Sequence, residues 1–239
     1  MRIEVWTDVV CPFCYIGKRE LQTALAGFEH SDEVDVVWRA FELDPDAPAE
    51  GQDTTGLLMD KYQMSSAQVA AQNEQLAARA AEVGLTYNWR QSKSANTLDA
   101  HRLVKLADTE GLAEQATERL MQAYFTDGLV VSDHDVLVRI GTGIGLAADR
   151  VRDLLNGVEF AEEVHTDQSQ ASQYGIQGVP FFLIDGQWAV SGAHPAELFQ
   201  QALDQVWDET HRPQFITLGE VSGGAGGCGC GSCGCGANG

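Results

Sequence analysis

The stretch Ile3-Glu4-Val5-Trp6-Thr7-Asp8-Val9-Val10-Cys11-Pro12-Phe13-Cys14 decides how the chain is read. Residues Ile3 to Thr7 alternate weakly and are β-branched or aromatic, which predicts a strand stopping at Asp8. Pro12 suits the opening of a helix, because its missing N–H would have no partner in the first turn. Ile16, Leu21, Leu25 and Phe28 then continue a helical apolar stripe. Cys11 is thereby placed at a helix N-terminus, with Cys14 one turn inside. The unpaired amides and the helix dipole favour an anion on the first sulfur. Cys11 is expected to be the nucleophile, and the deeper Cys14 to attack a mixed disulfide and release the product.

Working outward, Val34 to Phe41 reads as a second strand, ended by a loop at Pro45 and Pro48. From Gly56 to about Gly157 the pattern becomes helical, with no convincing strand. One helix follows Ser65 or Ser66 through Val69, Leu76, Ala80 and Val83 and is closed by Gly84. A second is capped by Asn96, carries Leu98 to Leu106 and stops at Gly111. Others fit Leu112 to Phe125, Asp133 to Ile140 behind a Ser132 cap, and Ala148 to Leu155. A helix from about Phe160 to Tyr174 follows, then an apolar run from Val179-Pro180 to Ile184. Asp185-Gly186 is a hairpin turn, Trp188 to Ser191 the returning strand, and Ala196 to Trp207 a last helix. The expected class is α/β. Residues 1–50 carry the thiol pair, 51–158 an all-α insertion, 159–215 the second half of the sheet, and 216–239 a flexible tail rich in Gly and Cys.

The 239 residues suffice for a real core, and 15 Lys plus Arg against 35 Asp plus Glu give a net charge of -20. That charge repels phosphate backbones and anionic bilayers, so neither nucleic acid nor membrane is expected as a partner. No apolar run approaches the roughly 20 residues of a membrane span, and the first residues reach an acid too early for a secretory segment. A cytoplasmic protein is the expectation. The six cysteines fall in two places, Cys11 and Cys14, then Cys228, Cys230, Cys233 and Cys235. A structural disulfide framework would be scattered through the fold, so these thiols read as chemical.

Cys11-Pro12-Phe13-Cys14 after a first strand, Val179-Pro180 before a hairpin, and helices between the two halves resemble the DsbA family of thioredoxin-fold oxidoreductases. Asp8 to Lys18, Gly178 to Phe182 and Ser191-Gly192-Ala193 look like its FrnE-like cytoplasmic branch. The resemblance covers about residues 1 to 210. It implies a thioredoxin fold with an all-α helical insertion and a thiol-disulfide oxidoreductase needing no cofactor. It also implies a cis bond at Val179-Pro180 beside the thiols, where the backbone of Val179 pairs with substrate. Pro12, Phe13, Val179 and Pro180 are therefore the expected substrate-binding residues. Phe13 departs from DsbA, which has His there to help stabilise the thiolate. Phe cannot donate that bond, so a less oxidising couple is expected, working as reductase or isomerase. The expected partners are disulfides of proteins or small molecules, with glutathione or another thiol as reductant.

Asp8 and Glu42 read as surface acids, the alternative being a carboxylate that takes a proton near Cys11. His101 reads as a packed or solvated helix residue, the alternative being one that faces the thiols. His194 reads as a cap or loop residue, and Tyr15 and Phe13 as an apolar substrate contact. Cys228, Cys230, Cys233 and Cys235 read as solvated thiols, as a soft-metal site for Zn²⁺ or Cu⁺, or as a tethered redox relay. Two rival functions remain open: a glutathione-dependent isomerase of the 2-hydroxychromene-2-carboxylate type, and a metal-handling protein using the tail.

Overall fold

A computed structural model describes residues 1–211. The central sheet has the order β2-β1-β5-β6, built from β1 (Arg2–Thr7), β2 (Asp35–Ala40), β5 (Phe181–Ile184) and β6 (Trp188–Ser191). β1 runs parallel to β2, with α1 (Pro12–Gly27) between them in the chain, and antiparallel to β5. Register explains the two faces. Ile3 lies opposite Val36 and Ile184, and Val5 opposite Trp38 and Phe182; these side chains pack with Ile16 and Leu21 of α1 and Phe199 and Leu203 of α9 (Ala196–His211). Trp6, opposite Phe181, belongs to the other face. There it meets Ala171 of α8 (Ala161–Gln173), Ile176 and Leu183 in a smaller core, and its indole N–H donates to the Asp167 carbonyl at 2.9 Å. In the β5–β6 turn Asp185 and Gly186 both take positive φ, 47° and 68°, as that turn requires.

Between β2 and α8 come α2 (Thr54–Tyr62), α3 (Ser66–Glu82), α4 (Leu98–Asp108), α5 (Ala113–Phe125), α6 (His134–Gly143) and α7 (Ala148–Asn156). One continuous core runs from Val5 and Ile16 through Leu103, Leu120 and Phe125 to Leu137 and Val151. Ser65 forms a reciprocal capping box with Gln68; the N-cap of α4 is Thr97, one residue past the expected Asn96, whose side-chain oxygen nevertheless accepts from the Leu98 N–H at 2.9 Å. The cap of α6 is Asp133, not Ser132: Asp133 accepts from Asp135 and Val136, whereas the Ser132 hydroxyl donates to the Ala49 carbonyl. Two features lie outside the sequence reading: a pair of short strands, one of them within the stretch read as strandless, and a helix before Ser65. β3 (Gln52–Asp53) pairs with β4 (Lys93–Ser94), each too short to show a period, and α2 opens on Asp53, which accepts from Thr55 and Gly56.

Two carboxylates clamp helices to the sheet half. Glu118 of α5 accepts from the Tyr15 hydroxyl at 2.7 Å, the Lys18 ammonium at 2.8 Å and the Arg19 guanidinium. Asp167 of α8 binds Arg39, Lys105 and the Ala40 N–H. Close approach on the opposite side of α1 depends on Gly17. A Cβ there would lie 3.0 Å from Pro180 Cγ and 3.2 Å from Phe182 Cζ. Gly17→Val is expected to push α1 from the Pro180 loop. It should lower stability by about 1–3 kcal/mol, as overpacking does, and slow thiol exchange; thermal unfolding and a disulfide-reduction rate check both.

Candidate active site

Cys11 is the N-cap of α1 with Pro12 in the first turn. The Cys11 N–H donates to the Asp8 carbonyl at 3.1 Å, and the Cys14 and Tyr15 N–H groups donate to the Cys11 carbonyl at 3.1 and 3.2 Å. Those amides are thus engaged by a carbonyl and do not reach the sulfur, which makes no N-cap bond. Instead the Cys11 thiol donates to the Val179 carbonyl at 3.6 Å, and the Val179–Pro180 bond is cis. Strand β5 starts only at Phe181, so Val179 and Pro180 stand just before the sheet, against the thiols. Both cysteines are free thiols, 4% and 2% exposed. Burial pushes the Cys14 thiol well up, and Cys11 adds to this; the Thr7 hydroxyl and the Asp8 backbone act against it.

A pocket of about 640 Å³ opens beside the pair, with Asp8, Pro12 and Phe13 on one wall and Leu57, Arg79 and Tyr124 on the other. Phe13 is 43% exposed there, and the Arg79 guanidinium lies 5.7 Å from its ring centre. Arg79 also donates to the Ala193 carbonyl, tying α3 to the loop after β6. Burial pushes the Tyr87 and Tyr124 phenols up, so at neutral pH these pocket side chains are neutral hydroxyls. α2, α3 and α5 supply residues that sequence reasoning did not find. Tyr124 falls inside the helix expected from Leu112 to Phe125, and no local motif marks Tyr87, Leu57 or Arg79.

The expectation of surface acids is corrected. Asp8 and Glu42 are buried, because the β1 and β2 ends run under α4. Asp8 accepts from the Leu43 N–H at 2.8 Å, and His101 Nε2 lies 3.5 Å from Asp8 Oδ1. Gln168 donates to Glu42 at 2.8 Å; burial nevertheless pushes the Glu42 carboxyl up, with His101 and Gln168 opposing. Tyr15 is also corrected: its ring is buried beside Phe125 and its hydroxyl serves Glu118, so only Phe13 faces the pocket. His194 sits in a loop with its ring at the Ser191 carbonyl. Among the described residues no group of three or more His, Cys, Asp or Glu side chains is arranged to hold a metal ion. Cys228, Cys230, Cys233 and Cys235, with the zinc or copper reading attached to them, lie outside the described residues. Among those residues no helix is long and apolar enough to cross a membrane.

Residues 2–204 match the model of the DSBA-like thioredoxin domain. A probable DsbA oxidoreductase from Streptomyces coelicolor is 42% identical, with 90% of this chain and 94% of that one covered and a TM-score of 0.85. Two more distant structures share the fold. One is a 2-hydroxychromene-2-carboxylate isomerase, 12% identical with a TM-score of 0.66 over 88% of this chain and 98% of that one. The other is the cytosolic disulfide reductase DsbM from Pseudomonas aeruginosa, 16% identical with a TM-score of 0.61 over 87% and 100%. With a thiol pair opening the first helix, a cis proline against it, and a family match over nearly the whole described chain, this protein belongs to the DSBA-like thioredoxin domain family of thiol-disulfide oxidoreductases.

Proposed function

We propose that the chain reduces or isomerises disulfides of proteins or small thiol compounds in the cytoplasm, as a member of the FrnE-like branch. Cys11 is the nucleophile and Cys14 the resolving thiol. The observation that carries this is the Cys11 thiol at the Val179 carbonyl, on the rim shared by the thiol pair and the cis-proline loop. The Cys11 thiolate attacks one substrate sulfur and the other leaves with the bonding electron pair. Cys14 then attacks Cys11, the bond between Cys11 and the substrate breaks, and the oxidised pair is returned to two thiols by glutathione or another thiol. A DsbM structure with glutathione shows that a protein of this fold accepts that thiol.

Val179 and Pro180 bind the extended substrate, Pro12 and Phe13 support it, and helices of the 51–158 insertion roof the pocket. Phe13 supports the reducing direction, since its ring accepts or donates no hydrogen bond to a sulfur anion. The reduction potential is therefore expected to lie well below the about -120 mV of a strong oxidant such as DsbA. Insulin reduction with glutathione as donor, and equilibration of the Cys11–Cys14 couple against glutathione, test both statements. Turnover with a potential in the thioredoxin to glutaredoxin range supports the reading. Glutathione-dependent isomerisation of a chromene carboxylate without disulfide turnover would replace it with the rival.

A further inference from the structure

With 35 acids against 15 bases, a Lys or Arg of this chain rarely lacks a partner. Lys18 and Arg19 sit on Glu118, Arg39 and Lys105 on Asp167, Arg102 on Asp99 and Arg150 on Glu159. Among the described residues only Lys61, Arg79, Lys93 and Arg139 have no carboxylate within ion-pair reach. Lys61 and Arg79 both line the large pocket beside the thiols. The carboxylates on its wall do not serve them. Asp8 is buried and accepts from the Leu43 N–H, with His101 at 3.5 Å; Asp44 is exposed and bridges neither cation. In a chain this acidic, two cations left without acids in one pocket mark a place where the anion comes from outside.

Arg79 is the better placed of the two. Its guanidinium lies 5.7 Å from the ring centre of Phe13, the residue between Pro12 and Cys14. Its only hydrogen bond among the described residues goes to the Ala193 carbonyl, and the neighbouring Gly192 N–H donates to the Pro180 carbonyl at 2.8 Å. Arg79 thus bridges the thiol turn and the cis-proline loop, half-buried and with guanidinium donors to spare. Val10, Pro12 and Phe13, which bracket Cys11 in the chain, line the same pocket. Phe13, Leu43, Leu57 and Tyr62 also line it and are exposed; among the described residues only Val158, Tyr174 and Leu198 are large apolar side chains exposed elsewhere. Exposed apolar side chains gathered in one concavity mark a ligand site, and about 640 Å³ is the size of a pocket for a small molecule.

We propose that the pocket selects small disulfides that carry a carboxylate on an apolar arm, and that Arg79 pairs with this carboxylate while the substrate sulfur meets Cys11. The inference deepens the redox reading and rests on Cys11 being the nucleophile. The planar guanidinium fork offers a carboxylate two parallel bonds, which a lysine ammonium does not. Lys61 is exposed and adds a weaker, screened attraction. The apolar arm lies against Phe13, Leu43 and Leu57. The exchange itself balances. The Cys11 thiolate attacks one substrate sulfur, a Cys11–substrate bond forms, and the other half leaves as a thiolate with the bonding electron pair. Cys14 attacks Cys11, the second half leaves in the same way, and the protons of the two enzyme thiols pass to solvent. The two enzyme sulfurs are oxidised and the two substrate sulfurs reduced. Arg79 is a specificity residue in both steps, because it holds the arm that stays on Cys11 in the mixed disulfide.

The test is a single turnover of the full-length reduced protein with two aromatic probes. Dithiobis(nitrobenzoate) bears a carboxylate on each arm, dithiodipyridine bears none, and the thiol each releases is read by its absorbance. Comparing each variant with native protein on the same probe removes the difference in intrinsic reactivity. In Arg79→Met the ratio of the two second-order rate constants, carboxylated over neutral, should fall about tenfold, the scale of one hydrogen bond to a charged group. The loss should appear in the half-saturating concentration of the carboxylated probe rather than in its limiting rate. Arg79→Lys should recover part of the ratio, and Lys61→Met should lower it about twofold, as an exposed charge does. Added salt should lower the native ratio and leave that of Arg79→Met nearly flat. A ratio that stays at the native value in Arg79→Met overturns this inference while leaving the redox reading intact. Equal slowing with both probes shows that Arg79 acts through the Cys11 thiol or the fold, and overturns it as well. Native protein that forms no Cys11–Cys14 disulfide with either probe defeats the redox reading itself.

Discussion

Cys11→Ser is expected to stop disulfide turnover altogether, and Cys14→Ser to stop it after one half-reaction. The asymmetry follows from where the two sulfurs lie. Cys11 stands at the helix opening with its thiol on the Val179 carbonyl, the edge proposed to receive an extended substrate. Cys14 is one turn deeper, and burial together with its neighbour Cys11 holds its proton on. A serine oxygen at position 11 is not a useful nucleophile toward a disulfide, because thiolate character drives the exchange. Insulin reduction should therefore fall to the uncatalysed rate. With serine at position 14 the first attack proceeds at the native rate, but nothing resolves the product, and one equivalent of mixed disulfide accumulates at Cys11. Mass analysis of the protein after one equivalent of substrate reads this directly, and the trapped partner identifies a substrate. Turnover that survives Cys11→Ser would reject the nucleophile assignment.

The β1–α1 junction was legible because each local signal there agrees: a short apolar strand, a proline tolerated only at the helix opening, and an apolar stripe at helical spacing. The β5–β6 hairpin was legible for the same reason, since Asp185-Gly186 supplies the positive φ that its turn needs. What escaped depends on pairs far apart in the chain. Asp8 and Glu42 look like surface acids until α4 covers them, and nothing in the local sequence says that His101 will lie against Asp8. Lys18 looks like an exposed helix lysine, yet its partner Glu118 is 100 residues away. Tyr15 sits beside the thiols in sequence, but helical rotation turns it toward α5 while Phe13 faces the pocket. The cap of α6 was displaced by one residue because Ser132 and Asp133 are both good caps, and only the Ala49 carbonyl, brought up by the fold, draws the serine away.

Loss of the Glu118 carboxylate is expected to destabilise the protein by about 3 kcal/mol, because it leaves the Lys18 ammonium buried and poorly paired. Lys18 is 1% exposed, and its remaining partner, Glu114, is at 3.7 Å and itself mostly exposed. Tyr15 and Arg19 lose the same acceptor, so one substitution releases α5 from α1 at three points. Burial works against the Glu118 carboxylate, but Lys18, Tyr15 and Arg19 outweigh it and hold its carboxyl below the ordinary range. The unfolded chain therefore binds a proton at this group before the folded chain does. The stabilisation is fully present above the unfolded carboxyl value, about 4.3, and is lost as pH falls through the lower, folded one. Chemical unfolding of native protein and Glu118→Gln should thus show a gap that is constant from neutral pH to about pH 5 and closes in acid. Adding Lys18→Met to Glu118→Gln should recover most of the loss, since an uncharged pair of similar bulk carries no desolvation penalty. A gap under about 1 kcal/mol at pH 7, the value of an exposed ion pair, would show that α5 is held to α1 by its apolar contacts and not by this carboxylate.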